Sequence, residues 1–274
     1  MLILISLFNI GITAQQISND STSNENILLN DGRAIVDDAV SYFISPLNFD
    51  LSEWMKFAAI SAGTVMLITR DEAIRKSIGR NTIKSLNNDL WDIPTKYGII
   101  TYANIISGVV YLTGLAAEDN EIRITGRLMF ESLTYSGLTV MAVRYLAGRV
   151  RPYYEKGAWE FLGFQTDNEF QSFPSGHTVV AFSLSTILAE RIDTWWSRIF
   201  FYGLAGMTAY ARVINNQHFA SDVFSGAMLG LFSGLFVISK EKEREYSLSV
   251  SGSESESGFY IFPAINRINL LYSF

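Results

Sequence analysis

Two long uncharged apolar runs constrain this chain more than any other feature. Residues 97–117 (YGIITYANIISGVVYLTGLAA) and residues 223–239 (VFSGAMLGLFSGLFVIS) contain no Asp, Glu, Lys or Arg. Runs of 21 and 17 residues approach the ~20 that a helix needs to cross a bilayer. Weaker apolar segments cover 54–69, 128–143, 178–189 and 199–211, each with 12 or 13 consecutive uncharged residues, a length that alone suits buried core helices. Gly226, Gly230 and Gly234 recur every fourth residue. That spacing puts them on one helical face, where a second helix backbone can come close. The pattern predicts an all-α, membrane-embedded bundle of about six helices over residues 53–240.

Composition narrows the function. Charged residues make up 18% of the 274 and hydrophobic residues 49%, against roughly 25% charged in soluble domains. The net charge of -6 leaves no basic footprint for nucleic acid, so no nucleic-acid partner is expected. The chain has no cysteine, which excludes disulfides, thiolate metal sites and cysteine nucleophiles. Its two histidines cannot by themselves fill a histidine-rich metal site.

The ends differ from the middle. Met1–Ala14 reads as an export signal closing on a small residue, although no basic residue precedes its apolar stretch. Residues 15–30 are Ser/Asn/Gln/Asp-rich, and 15–52 is expected as a linker and N-terminal segment. The charged stretch 71–92 reads as a solvated surface helix or loop. Residues 241–274 read as a tail or small hairpin, with YSLSV at 246–250, an acidic turn at 252–258 and β-prone runs at 259–262 and 268–274.

Chemistry-bearing residues gather at the ends of apolar segments. Pro174-Ser175-Gly176-His177 runs into a helix, whose first turn presents unpaired N–H groups to an anion. Gly176 allows close backbone approach, and Ser175 adds a hydroxyl. His218 and Asp222 stand four apart, so on a helix they share a face. A carboxylate there can accept one ring N–H and leave the other nitrogen as base or nucleophile. Arg212 precedes His218 by six residues. Arg144 and Arg151 are seven apart and share a face if the helix continues; Arg149 falls elsewhere and is expected to meet solvent or headgroups. Taken singly, each feature has an ordinary structural explanation. Together they could converge on one anion.

In this arrangement the chain resembles the type 2 phosphatidic acid phosphatase superfamily, which includes bacterial acid phosphatases and vanadium haloperoxidases. The family pattern is Lys, six residues, Arg-Pro; then Pro-Ser-Gly-His; then Ser-Arg, five residues, His, three residues, Asp. Here it reads Arg144, six residues, Arg151-Pro152; Pro174-Ser175-Gly176-His177; and Ala211-Arg212, five residues, His218, three residues, Asp222. Arg144 stands for the Lys and Ala211 for the Ser. The first departure swaps a compact ammonium for a planar fork, and the second removes a hydroxyl donor.

The resemblance implies a phosphatase that needs no metal or cofactor. His218 would be the nucleophile, oriented by Asp222, and His177 the acid and base. Arg144, Arg151, Arg212, Ser175 and Gly176 would hold the phosphate. A membrane site implies a lipid phosphomonoester or pyrophosphate as substrate partner, in a bacterial envelope membrane with the site facing the periplasm. Three other readings remain at this point: a soluble exported acid phosphatase for small phosphomonoesters, a vanadium-dependent haloperoxidase, and a non-catalytic lipid-binding protein.

Overall fold

The computed structural model describes residues 24–81, 88–252, 258–263 and 268–273. The expected export signal at 1–14 lies outside them. The chain divides into two units, Met1–Ala34 and Ile35–Phe274, and the site belongs to the second.

Among the described residues there are eight α-helices, not six: α1 (Asn24–Ile44), α2 (Leu51–Asn81), α3 (Asn88–Tyr97), α4 (Ile100–Ala116), α5 (Asn120–Ala147), α6 (Gly176–Ile192), α7 (Trp195–Ile214) and α8 (Ala220–Gly252). Six of them contain the six apolar segments. The additional two, α1 and α3, carry mixed polar and apolar residues and no long uncharged run. Helix α1 begins inside the stretch expected to be a linker. Helix α2 runs on to Asn81, so the first part of the charged stretch 71–92 is not a separate solvated element: Asp71 is fully buried. Helix α8 takes in YSLSV, and only Gly258–Pro263 (β1) and Ile268–Ser273 (β2) pair as an antiparallel hairpin.

Helix α6 is the hub of the bundle, packed against α5, α7 and α8. The glycine face of α8 explains its closeness to α6. A Cβ on Gly230 would lie 2.6 Å from the Val179 carbonyl oxygen, and one on Gly234 would lie 2.6 Å from Thr186 Cβ. Where backbones approach this closely, side-chain hydroxyls tie helices together: Ser136 to Ser183 at 3.2 Å, and Tyr97 to Ser185 at 2.9 Å. Replacing Gly230 by Val should therefore cost about 1–3 kcal/mol by overpacking against rigid backbone. Gly203→Ala, where nothing lies within 4 Å of the new Cβ, should leave the melting temperature in detergent unchanged or slightly raised.

The outer surface is apolar. Leu51, Met55, Phe57 and Met66 of α2 and Ile105, Val109 and Leu112 of α4 are all exposed. Among the described residues two helices, Leu51–Ile78 within α2 and Ala220–Ser247 within α8, are long and apolar enough to cross a membrane. The uncharged part of the first, within 54–69, is followed by the charged turns RDEAIRKSIGRN at 70–81.

Two charged layers close the bundle. At one end, Arg244 pairs with Asp38 at 2.9 Å, and Glu241 accepts from both Arg127 and Arg244. At the other end lie Arg144 and Asp222. Arg127 and Arg144 are seventeen residues apart on α5, or ~25 Å at 1.5 Å per residue.

Candidate active site

Local signals place each motif residue. Helix α5 starts at Asp119, whose carboxylate accepts from the Ile122 N–H at 3.1 Å, and ends where Gly148 takes a left-handed conformation, φ 56°. The helix therefore does not persist from Arg144 to Arg151, and the two arginines do not share a helical face. The turn sends Arg149 inward and carries Arg151 toward the site by another route. Arg144 stays on the last turn of α5, where its Nε donates to the Pro174 carbonyl at 3.0 Å. Its guanidinium lies so close to Gly176 that a Cβ there would sit 2.8 Å from Nη2. A side chain at that position would push the guanidinium aside.

Arg151 is held by the loop before α6. Nε and Nη2 donate to the carbonyl oxygen and Oδ1 of Asn168, both at 2.8 Å, and Nη1 donates to Gln217 Oε1 at 3.3 Å. Gln217 directly precedes His218, so the first and third motifs meet. The second meets the third where the Ser175 N–H donates to the Asp222 carbonyl at 3.0 Å. The Ser175 side chain is buried, and its hydroxyl accepts from Thr178 at 3.0 Å. Arg212, in the last turn of α7, donates through Nη2 to Thr95 Oγ1 at 2.9 Å. Gly98, just beyond α3, abuts His177: an added Cβ would lie 2.7 Å from the His177 carbonyl oxygen. The short helix α3 thus backs both Arg212 and His177.

The three arginines share an electrostatic property. Among the described residues, Arg144, Arg151 and Arg212 make no ion pair with a carboxylate, whereas Arg127, Arg149, Arg191, Arg198 and Arg244 all do. Arg212 is buried, and its Nε has no hydrogen-bond partner. Uncompensated buried guanidinium is costly, and an anion among the three would repay that cost. Their charge is felt at His177. Burial, then Arg212, His218, Arg144 and Arg151, hold its pKa down to about 3, so the imidazole of the empty site is neutral.

The second imidazole is oriented differently from the expectation. His218 Nδ1 lies 2.7 Å from the Ser172 carbonyl oxygen and 3.7 Å from Asp222 Oδ2. A carbonyl can only accept, so Nδ1 carries the proton and Nε2 keeps its lone pair. Asp222 faces the ring at ion-pair distance, and its shorter hydrogen bonds go elsewhere. Its Oδ2 accepts from Ser172 Oγ at 2.6 Å and from the Phe219 N–H at 2.8 Å. It fixes the residue that fixes the histidine. Burial lowers the pKa of His218, with Asp222 opposing the shift.

Arg149 is the largest departure from the sequence reading. It is fully buried, not in solvent or at headgroups. Nη2 donates to Asp71 at 2.9 Å, Nη1 to Ser221 Oγ at 2.7 Å and to Asp222 Oδ1, and Nε and Nη2 to the Ala158 carbonyl. Its Cζ lies 4.4 Å from the Phe219 ring centroid and 5.1 Å from that of Phe161. Sequence reasoning also missed Thr95, Asn168, Ser172 and Gln217. None carries a spacing signal, since each acts by a contact that only the fold creates.

The helical bundle thus carries two imidazoles and, among the described residues, three guanidinium groups without carboxylate partners at one end. Residues 126–246 match the PAP2 superfamily. Over 100 residues it is 34% identical to a lipid A 1-phosphatase of Porphyromonas gingivalis, and the match covers 36% of this chain and only 20% of that protein. A lipid A 1-phosphatase of Rhizobium etli is 24% identical over 64% of this chain and 78% of its own length. The fold is similar to the crystal structure of a transmembrane PAP2-type phosphatidylglycerolphosphate phosphatase from Bacillus subtilis, with TM-score 0.54 and 20% identity over 68% of this chain and 96% of that one.

Proposed function

We propose that this chain is a membrane phosphatase that removes phosphate from a lipid phosphomonoester through a phosphohistidine on His218. The observation that carries the reading is the set of three guanidinium groups, Arg144, Arg151 and Arg212, without carboxylate partners beside two imidazoles. A phosphoryl group supplies the missing negative charge, and its equatorial oxygens gain charge in the transition state that the arginines stabilise.

In the first step His218 Nε2 attacks phosphorus in line and the ester P–O bond breaks. His177 gives a proton to the leaving oxygen. In the second step water attacks the phosphohistidine and gives its proton to His177, and inorganic phosphate leaves. Nδ1–H stays bonded to the Ser172 carbonyl, so the ring is supported as positive charge develops on it. His177 must be protonated for the first step, yet it is neutral in the empty site. A dianionic phosphate beside it raises its pKa, so substrate binding takes up a proton. The expected pH profile of kcat is bell-shaped.

The lipid substrate class rests on the apolar exterior and on the two charged ends ~25 Å apart, close to the ~30 Å of a hydrocarbon core. The site would then lie at a headgroup interface, where the exposed Trp159, Phe161 and Phe164 flank it. The names of the curated relatives make a lipid A 1-phosphate the first substrate to test. In a phosphate-release panel in detergent, lipid A 1-phosphate, phosphatidate and phosphatidylglycerol phosphate should outpace glucose 6-phosphate, and EDTA should leave the rate unchanged. A preference for the small ester, or loss of activity in EDTA, would overturn the reading.

The site is proposed to face the periplasm. Helix α2 reaches it through Asp71, so if α2 crosses the membrane, Leu51 lies on the cytoplasmic side. An export signal cleaved after Ala14 would instead start α2 outside. The outward site and the cleaved signal are compatible only if α2 does not cross. Because the chain has no cysteine, Trp159→Cys offers one thiol, which a membrane-impermeant maleimide should label in spheroplasts without lysis.

A further inference from the structure

The mechanism above uses neither Asp71 nor Arg149, yet both are buried with no solvent exposure and lie against the motif that carries the nucleophile. Every N–H of Arg149 is engaged, and its plane lies between two aromatic rings. Asp71 is equally committed. It accepts the Ser221 N–H at 3.0 Å on Oδ1, and both the Ser221 hydroxyl and Arg149 on Oδ2. Such a group is expensive to bury and is held by geometry that a less specific contact would not need.

We infer that Asp71 and Arg149 are positioning residues for the phosphoryl-accepting imidazole. The chain of contacts runs from α2 to the ring in five groups. Asp71 aims one arm of the Arg149 fork, the other arm holds Asp222 Oδ1, Asp222 Oδ2 holds the Ser172 hydroxyl, and the Ser172 carbonyl holds His218 Nδ1–H. Without Arg149, Asp222 is free to turn about its side-chain bond closer to the ring. Its Oδ2, 3.7 Å from Nδ1, would then compete with the carbonyl. The Asp71–Arg149 pair keeps Asp222 on Ser172, and so keeps one ring tautomer and one ring plane. Because Asp71 is on α2, it also makes the position of that helix a condition for an aligned nucleophile. A lysine cannot replace Arg149, because one ammonium cannot reach Asp71, Asp222 and the Ala158 carbonyl in a fixed fork.

This inference rests on the phosphohistidine reading, and its test separates the two. The chain contains only two histidines, so histidine labelled with 15N in the ring gives one resonance set for each, assigned with His177→Ala. In the unmodified protein His218 should show the Nδ1–H tautomer. Asp71→Asn, Arg149→Lys and Ser221→Ala are compared at matched melting temperature in detergent. Asp71→Asn and Arg149→Lys should lower kcat about 10–100-fold, the range for outer partners that orient an imidazole, and change KM less than kcat. They should also bring in an Nε2–H population at His218 while His177 keeps its signal. Ser221→Ala should act in the same direction with a smaller effect. Unchanged kcat, or lost activity with an undisturbed His218 tautomer, would overturn the positioning role. If the unmodified protein turns over without a trappable phosphoenzyme, the reading of the mechanism falls, but the tautomer measurement still decides whether Asp71 and Arg149 set the ring.

Discussion

His218→Ala should leave a folded protein that neither turns over nor acquires label from a 32P-phosphomonoester after acid-free quenching. The expected loss in kcat is at least about 10⁴-fold, as for other nucleophiles whose removal leaves only the electrostatic part of a site. Stability should change far less. The ring's short hydrogen bond goes to the Ser172 carbonyl, and Asp222 keeps its bonds to Ser172, Phe219 and Arg149 without it. The residual site should still bind orthophosphate, because Arg144, Arg151 and Arg212 do not depend on the ring. Isothermal titration with phosphate therefore separates a lost nucleophile from a collapsed pocket. A variant that keeps a tenth of the activity would show that His218 Nε2 is not the attacking atom, whatever the arginines do.

Much of this site could be read from spacing, and the reason is geometric. Gly226, Gly230 and Gly234 announced a helix face, and the structure presses that face on the α6 backbone. The ends of the apolar runs announced where charges would sit, and Arg144, Arg151, His177, Arg212, His218 and Asp222 gather there. Periodicity reports what one helix does with its own faces. It does not report what a residue meets across the bundle.

That limit explains the errors. Asp71 lies between Arg70 and Glu72, and nothing in the sequence distinguishes a buried carboxylate from two solvated neighbours. Arg149 looked peripheral because the helix of Arg144 was extended past Gly148, where a left-handed turn ends it. The four-residue spacing does bring Asp222 to 3.7 Å from the His218 ring, but the nearer acceptor, the Ser172 carbonyl, is a backbone group with no residue signature. Helices α1 and α3 escaped notice because neither has a long uncharged run, although α3 supplies Thr95 to Arg212.

The second large effect is expected at His177, and it should depend on the leaving group. His177→Ala removes the proposed proton donor for the departing alkoxide, a contribution of roughly 10²–10⁴-fold in rate. For a lipid alkyl phosphate the whole factor should be lost. For para-nitrophenyl phosphate, whose phenolate leaves without a proton, phosphoenzyme formation should slow much less. Its breakdown should still slow, because in the proposed mechanism His177 also activates the attacking water. The variant should therefore accumulate phosphohistidine on the aryl substrate and release nitrophenol in a burst. The pH dependence follows from the charges around the ring. Burial, three arginines and His218 keep His177 unprotonated without phosphate, with a pKa of about 3. Its protonated form exists only when a phosphate dianion is bound. The alkaline limb of kcat then reports the loss of that proton from the complex, and it should vanish in His177→Ala. The acidic limb should remain, since it belongs to the substrate and to His218, whose pKa burial also lowers. Equal losses on both substrates with an intact alkaline limb would remove His177 from proton transfer. Only a role in shaping the anion pocket, beside Gly98 and Arg212, would then be left for it.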